Sequence, residues 1–217
     1  MTGLARSLKA RGARVRVDKA GRVVLVRYVD RVIEKMDLDL LVQCQKLKRL
    51  DLEGSRLDDA GLARLATIGS LESLALHDAR VSDAGLEALG RLTGLKNLGL
   101  AGTGIGDAGL VHLKGLVGLE GLVLTNTKIT DTGLVHLRPL VRLLDLPVRG
   151  TRATFGGVVD LFVRHQRRGL DAAVRAMGLA AVGKGPIQRL DLGRTGVRDQ
   201  DLVHLRDLKG LEHLVLA

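Results

Sequence analysis

Leucine returns along the chain at a constant interval of 24 residues. The first leucine of each unit is, in turn, Leu47, Leu71, Leu95, Leu119 and Leu143. Three residues later stand Leu50, Leu74, Leu98, Leu122 and Leu146, and two further stand Leu52, Leu76, Leu100, Leu124 and Val148. The unit reads L-x-x-L-x-L and then turns polar. Such a fixed period predicts a solenoid, because one unit alone cannot bury its apolar face and needs the units on either side.

Each unit begins with alternating apolar and variable positions, which is the period of a β-strand with one buried face. About eight parallel strands are predicted, beginning at Val23, Leu47, Leu71, Leu95, Leu119, Leu143, Ile187 and Leu211. After a polar turn, an aspartate recurs at the thirteenth position, as Asp59, Asp83, Asp107, Asp131 and Asp199. We interpret these aspartates as helix N-caps. Leucine pairs at i, i+3 spacing follow them, so every coil is predicted to be a strand, a turn and a short helix.

The block LESLALHDARVSDAGLEALGRLTG at residues 71–94 resembles the leucine-rich repeat family, in its 24-residue subclass of the ribonuclease-inhibitor-like or bacterial type. The resemblance covers roughly residues 23–161 and 187–216. It implies an α/β fold, a leucine-rich repeat solenoid with a curved parallel sheet on the concave face and short helices on the convex face. The family often has Asn or Cys at the ninth position, whose side chain bonds neighbouring turns. Here the ninth position mostly holds hydroxyls that can do similar work, at Ser55, Thr103, Thr127, Thr151 and Thr195, whereas Ala79 has none.

The two ends and one internal stretch depart from the repeat. A short basic helix at residues 4–11 and a hairpin of residues 14–17 with 22–28 are predicted, so we interpret residues 1–22 as an N-terminal cap and 23–217 as the repeat domain. The register breaks at residues 164–186, which we interpret as an irregular helical excursion, with a degenerate repeat as the alternative. The terminal strand, residues 211–216, is expected to favour end-to-end self-association.

The net charge of +10 is unevenly distributed. Residues 1–46 hold 11 basic and 5 acidic side chains, and residues 138–186 hold 9 and 3, whereas the regular repeats between them are nearly neutral. Basic surfaces attract polyanions. The predicted basic patch consists of Arg164, Arg167, Arg168 and Arg175.

Reactive side chains are sparse. The single cysteine, Cys44, precludes an internal disulfide and falls at an apolar position of the repeat, so it is predicted to be buried. His112 and His136 share one repeat position, but a zinc site needs three or four ligands. The G-x-G-x-x-G stretch at residues 104–109 lacks the acidic residue that would hold a ribose. We therefore expect no enzymatic activity, no cofactor and no metal.

Composition also bears on location. The apolar runs are far shorter than the roughly 20 residues of a membrane-spanning helix, and no apolar signal-peptide core follows the N-terminus. A cytoplasmic protein is therefore expected. Arginine far exceeds lysine and asparagine is scarce, which favours a GC-rich bacterial genome.

Side chains that alternate outward from the strands line the predicted concave face. The predicted partner-binding residues are Ser73, His77, Asn97, Val123, Thr125, Asn126, Arg149 and Arg189. We expect a non-enzymatic scaffold that binds another protein there, because solenoids commonly bind along such faces. One alternative is polyanion or nucleic-acid binding through the basic cap and residues 164–186. Another, implied by the resemblance, is a substrate-receptor-like adaptor, although nothing before the repeats resembles an F-box.

Overall fold

A computed structural model describes residues 3–164, Met177, residues 189–191 and residues 213–215. One sheet contains β1 (Arg14–Val17), β2 (Val23–Arg27), β3 (Arg49–Asp51), β4 (Ser73–Ala75), β5 (Asn97–Gly99) and β6 (Gly121–Val123), in that spatial order. The helices are α1 (Gly3–Ala10), α2 (Lys35–Leu41), α3 (Asp59–Leu65), α4 (Asp83–Leu89), α5 (Asp107–Leu110), α6 (Asp131–Leu134) and α7 (Phe155–Arg164). Short 3₁₀ turns at Val111–Gly115 and Val135–Leu137 follow α5 and α6. The predicted solenoid of strand–helix coils is confirmed.

The strands keep the 24-residue register of the sequence. β1 and β2 are antiparallel, and every later neighbour from β2 to β6 is parallel. Leu74 faces Leu98, and Leu98 faces Leu122, on adjacent strands. Leu74 and Leu98 are 1% exposed and Leu122 is fully buried. These leucines therefore form one continuous interior column, in which each coil covers the next.

The predicted strand after Leu143 is reduced to a single parallel bridge between Gly121 and Asp145. Pro147, two residues further, has no backbone N–H and cannot donate the next ladder bond. Its carbonyl still accepts a bond from the Leu124 N–H at 2.8 Å, so the coil remains docked. Beyond it, β7 (Arg189–Asp191) and β8 (His213–Val215) form a separate parallel pair.

The predicted N-cap role of the recurring aspartates is wrong for the four that the structure describes. The caps lie one residue earlier, at Asp58, Ser82, Gly106 and Thr130. The aspartate is instead the first helical residue, and its carboxylate reaches the following coil. Asp107 Oδ1 accepts from the Thr130 N–H at 2.7 Å, and its Oδ2 accepts from the Thr130 hydroxyl at 2.6 Å. Asp199 lies outside the described residues.

The other three aspartates make the same contact one coil apart. Asp59 accepts from the N–H and hydroxyl of Ser82, and Asp131 accepts from those of Thr154. Asp83 accepts only from an N–H, because Gly106 has no side chain to donate. These carboxylates form a ladder that joins successive coils on the turn between strand and helix.

The resemblance implies that the ninth-position hydroxyls bond the neighbouring turn, but those of residues 3–164 do not. Thr103 donates to the Leu100 carbonyl and Thr127 to the Leu124 carbonyl, each at 2.6 Å and each within its own coil. They close the turn that follows the strand. The aspartate ladder makes the side-chain connection between coils instead.

At the N-terminal end, α1 and the β1–β2 hairpin pack beside the first coil. Ala5 and Leu8 of α1 are fully buried against the first coil. Arg11 joins this segment to α2, because its Nε lies 2.6 Å from Asp37 Oδ1 and its Nη2 lies 2.6 Å from Glu34 Oε2. The predicted domain boundary at residue 22 stays a prediction.

Two sequence predictions concern the core and the break in register. Cys44 is buried, as predicted, and burial raises the pKa of its thiol to about 11. α7 begins at Phe155, in register with the preceding helices, but the aspartate is replaced by a fully buried phenylalanine. Of the predicted excursion at residues 164–186, only Arg164 and Met177 are described, so that interpretation stays a prediction.

Candidate functional site

The open face of the sheet is a shallow trough formed by the third and fifth positions of each coil. Ser73 of β4 stands beside Asn97 of β5, and Ala75 stands beside Gly99, which in turn pairs with Val123 of β6. Asn97 is exposed, whereas Ser73 and Val123 are partly exposed. The structure therefore brings these three predicted residues together on adjacent strands. We call residues 73, 75, 97, 99, 121 and 123 the trough.

His77 borders the trough and is held in one orientation. Its Nδ1 accepts a hydrogen bond from the Ala101 N–H at 3.1 Å, one coil further along. Its ring lies against Gly99, where an added Cβ would come 2.4 Å from Cε1. Gly99 is thus small because the imidazole occupies the space above it. A fixed His77 presents Nε2 as its remaining polar atom.

Asn126 has a backbone role that sequence reasoning missed. Its φ is +56°, in the left-handed region that Asn, Asp and Gly adopt most readily. The next coil has Gly150 at the same position, and an added Cβ there would lie 2.0 Å from Asn126 Oδ1. The signal was present in the sequence: this eighth position alternates as Asp30, Gly54, Asp78, Gly102, Asn126 and Gly150. Its partner-binding role stays a prediction.

Thr125 and Arg149 lie on the same rim as His77. The Thr125 carbonyl accepts from the Gly102 N–H at 2.9 Å, and the Arg149 carbonyl accepts from the Asn126 N–H at 2.8 Å. The backbone bonds fix where both side chains leave the rim, and Arg149 is exposed. Arg189 lies in β7 opposite His213 of β8. Its predicted role on the same binding face stays a prediction.

The trough carries charge at its N-terminal end. Arg27 of β2 pairs with Asp51 of β3, with Nε and Oδ2 2.8 Å apart, and its Nη2 lies 3.7 Å from Glu53 Oε2. Arg14 and Arg49 also lie at this end and are exposed. The charge at this end therefore contrasts with the small, neutral side chains of β4 to β6.

One flank of the sheet has its own charge ladder. Glu72 is bonded by Lys48 Nζ at 2.5 Å and by Lys96 Nζ at 3.1 Å, from the coils on either side. These two hydrogen bonds, that of Lys48 first, hold the pKa of the Glu72 carboxyl below its usual range. Such exposed pairs are worth little in stability. They neutralise the Glu72 carboxylate with an ammonium group from each adjacent coil.

The four arginines of the predicted basic patch are not brought together within the described structure. Arg164 is the last residue of α7, and Arg167, Arg168 and Arg175 lie outside the described residues. The patch stays a prediction.

The structure also bears on the weak chemical motifs. Within the described part of the chain, no group of three or more His, Cys, Asp or Glu side chains is placed to hold a metal ion. In the G-x-G-x-x-G stretch, the Gly106 N–H donates to Asp83 Oδ1 at 2.7 Å. The backbone donor that a phosphate would need is therefore already bound to a carboxylate.

Comparison with known proteins agrees with this architecture. Residues 43–66, one complete coil, match the family model described as Leucine Rich repeat. No curated protein sequence matches the chain. An internalin (inlF) from Listeria monocytogenes is similar in structure with a TM-score of 0.58 and 23% identity, and the alignment covers 83% of this chain and 51% of that one. The chain thus spans about half the length of that internalin.

Two further solved structures are similar at a lower level. The LRR ectodomain of the plant membrane receptor kinase GASSHO1/SCHENGEN3 from Arabidopsis thaliana, in complex with CASPARIAN STRIP INTEGRITY FACTOR 2, has a TM-score of 0.49 and 22% identity, covering 67% of this chain and 18% of that one. An internalin C2 from Listeria monocytogenes has a TM-score of 0.47 and 18% identity, covering 73% and 88%.

The fold is a leucine-rich repeat solenoid, and the matched coil with its 24-residue register supports a leucine-rich repeat protein. The narrower assignment to a ribonuclease-inhibitor-like or bacterial subclass stays a prediction. Leucine-rich repeat proteins generally act as non-enzymatic scaffolds for protein–protein interaction, which supports the predicted class of function at that level. Within the described residues, no helix is long and apolar enough to cross a membrane.

Proposed function

We propose that this protein is an interaction scaffold that binds another protein across the trough. The observation that carries the proposal is the trough floor. Ala75, Gly99 and Val123 lie side by side on strands that share one register. Gly99 and Gly121 are buried because the His77 ring lies against Gly99 and the Asn97 amide lies against Gly121, so the middle of the floor consists of these two polar groups supported by glycine backbone. Such a surface can seat a helix or strand of a partner and offer it hydrogen bonds.

The border of the trough supports recognition as well as space. Asn97 supplies an amide on the floor, and His77 supplies a fixed imidazole on the rim. Both groups are polar and accessible, whereas the leucines beneath them are buried between adjacent coils. Because the hydrogen bond from the Ala101 N–H holds the His77 ring in place before binding, little conformational entropy of that side chain remains to be lost on association.

The test is a matched pair of variants assayed against one captured partner. The trough variant carries His77→Glu, Asn97→Arg and Val123→Arg. The convex variant carries Thr132→Arg, Val135→Arg and His136→Glu, which makes the same types of change at exposed or partly exposed positions of the opposite face. Partner recovery is expected to fall at least about tenfold for the trough variant alone.

Photo-crosslinking identifies the contact directly. A photoreactive residue at Val123 is expected to label the partner, whereas the same residue at Val135 is not. Full partner recovery by the trough variant, together with labelling only from Val135, would end this proposal. Circular dichroism of both variants establishes that they are folded.

A cytoplasmic location forms part of the proposal. The only cysteine of the chain is buried and requires no oxidising compartment. Fractionation of cells that express the natural protein tests this, and recovery outside the cytoplasm would contradict it.

A further inference from the structure

Two arginines face each other at the N-terminal edge of the sheet. Arg14 of β1 lies directly opposite Arg27 of β2 in the antiparallel register. Like charges at such a position destabilise a sheet. Arg27 is compensated by Asp51 and Glu53. Arg14 is exposed and has no ion pair with any residue in the described part of the chain.

Two more uncompensated arginines lie beside this pair. Leu25 of β2 faces Arg16 of β1 on one side and Arg49 of β3 on the other. Both arginines are exposed, and neither has a carboxylate within salt-bridge distance over residues 3–164. We call Arg14, Arg16 and Arg49 the arginine edge. The nearby acids are engaged elsewhere, because Asp18 pairs with Arg22, and Asp51 and Glu53 pair with Arg27.

The backbone at the same place is also open. β1 is the terminal strand of its sheet. Its ladder bonds go to β2 alone, and no backbone hydrogen bond joins β1 to another strand among residues 3–164. The unpaired N–H and C=O groups of an edge strand are ready to pair with an added strand. Arg14 and Arg16 on β1, with Arg49 on β3, place three guanidinium groups at this end of the sheet.

We propose that β1 is the docking site for an acidic segment of a partner protein, which adds to the sheet as an extended strand. Alternate residues of a strand share one face and stand about 6.8 Å apart. Carboxylates at every second position of the added strand therefore match Arg14 and Arg16, which are themselves two residues apart. The proposal rests on the proposed function, since the same partner continues from β1 into the trough.

Charge and backbone together select a peptide over other polyanions. A carboxylate pairs with a guanidinium in a planar, two-pronged geometry. A polypeptide also supplies the N–H and C=O groups that the edge of β1 lacks. Single-stranded nucleic acid is usually held by aromatic stacking, and the arginine edge contains no aromatic side chain.

The experiment measures binding of short labelled peptides to the whole chain by fluorescence anisotropy. The probe alternates glutamate with threonine. One control peptide has the same composition with its glutamates grouped at one end, and another has the probe sequence with alternate amides N-methylated. The probe is expected to bind at least about tenfold more tightly than either control. Grouping misplaces the carboxylates, and N-methylation removes the ladder donors.

Variants of the protein identify the site. Arg14→Glu with Arg16→Glu is expected to weaken probe binding at least about tenfold, and Arg14→Gln with Arg16→Gln by less. The matched control is Arg56→Glu with Arg80→Glu, the same charge change at two exposed arginines of the sheet's other flank. This control is expected to stay within about twofold of the unaltered protein. The Gln variant keeps the test valid if the Glu variant fails to fold.

Three results would overturn the inference. They are equal loss of binding in the two Glu variants, equal binding of the N-methylated peptide, and displacement of the probe by heparin or single-stranded DNA as effectively as by unlabelled probe. The last result would assign the edge to polyanions in general. Failure here is separable from failure of the proposed function: the trough variant keeps an intact arginine edge, so its loss of the captured partner stands even if no peptide binds β1.

Discussion

Gly109 and Gly133 each lie against an aspartate of the preceding coil. A Cβ on Gly109 would come 2.5 Å from Asp83 Oδ1, and one on Gly133 would come 2.3 Å from Asp107 Oδ1. Neither glycine has a left-handed φ. These glycines are therefore required for space and not for backbone conformation. At Gly85, Gly109 and Gly133, the D-x-G pattern therefore reflects a contact with the aspartate of the preceding coil.

Gly109→Ala is expected to lower the free energy of unfolding by about 2 kcal/mol. The added methyl group would displace the Asp83 carboxylate, which accepts a hydrogen bond from the Gly106 N–H of the next coil. Gly115→Ala is the matched control, since a Cβ there meets nothing within 4 Å. Its effect is expected to stay within about 0.5 kcal/mol. Chemical denaturation measures both, and equal stabilities for the two variants would contradict the steric account.

Tyr28 is buried beside the carboxylate of Asp37. It is 1% exposed, and its hydroxyl donates to Asp37 Oδ1 at 3.2 Å. Burial first, and then the charge of Asp37, raise the pKa of Tyr28 to about 12. Burial is the largest single influence on Asp37 and alone would raise its pKa too. The hydrogen bonds from Arg11 and the Glu34 N–H, with the charges of Arg11 and Arg31, together outweigh burial and hold that pKa below its usual range.

The single tyrosine makes this environment measurable, because phenolate absorbance reports Tyr28 alone. The midpoint is expected near pH 12 in the folded protein and near about 10 in denaturant. The neutral phenol thus contributes stability below about pH 10 that is lost as the pH rises towards 12. Asp37→Asn should lower the folded midpoint while leaving the burial effect. A folded midpoint near 10 would contradict the buried placement.

At the scale of elements, each of the helices α3 to α6 is joined to the following coil by the carboxylate at its first residue. α5 and α6 contain four residues each, too few to be stable alone. Asp107 and Asp131 therefore matter less for their own helices than for the coils that follow. The strands add the other connection, through backbone bonds such as that from the Leu100 N–H to the Val123 carbonyl at 2.9 Å.

The coupling between Asp107 and Thr130 tests this arrangement. Asp107→Ala is expected to cost about 2 kcal/mol, because it leaves the Thr130 N–H without its acceptor. A double-mutant cycle with Thr130→Val should show a coupling energy of about 1 kcal/mol. Thr132→Val serves as the control partner, since its side chain is exposed and makes no bond to Asp107. A coupling near zero with Thr130 would restore the N-cap interpretation.

The sequence predicts the strands β2 to β6 and the column of buried leucines, but it does not predict the ladder of aspartates between coils. Leu74, Leu98 and Leu122 follow directly from the period, because stacking of identical coils aligns identical positions. An aspartate before a helix predicts an N-cap by local rules, and its true acceptor role depends on a donor 23 residues away. The left-handed backbone of Asn126 cannot be inferred from the sequence of a single coil, so its sequence predicts only an exposed polar side chain on the binding face. Only its alternation with glycine in neighbouring coils shows that constraint.

The whole molecule follows from the addition of coils. Because the coils of residues 3–164 pack in order, each on the next, stability is expected to approximate a sum of nearest-neighbour terms. The same stacking places the variable residues of each strand in rows on the open face, where His77, Asn97 and Val123 meet. The arginine edge lies where the rows begin. The same repeat register therefore determines both the buried leucine core and the open binding surface.

The order in which the leucines of the column contact one another tests the account most directly. Methyl NMR of the folded protein, with leucines assigned by substitution, is expected to show contacts between Leu74 and Leu98 and between Leu98 and Leu122. No direct contact is expected between Leu74 and Leu122, which lie on strands separated by β5. Absence of either neighbouring contact, or a direct contact between Leu74 and Leu122, would contradict the stacked coils on which the trough and the arginine edge depend.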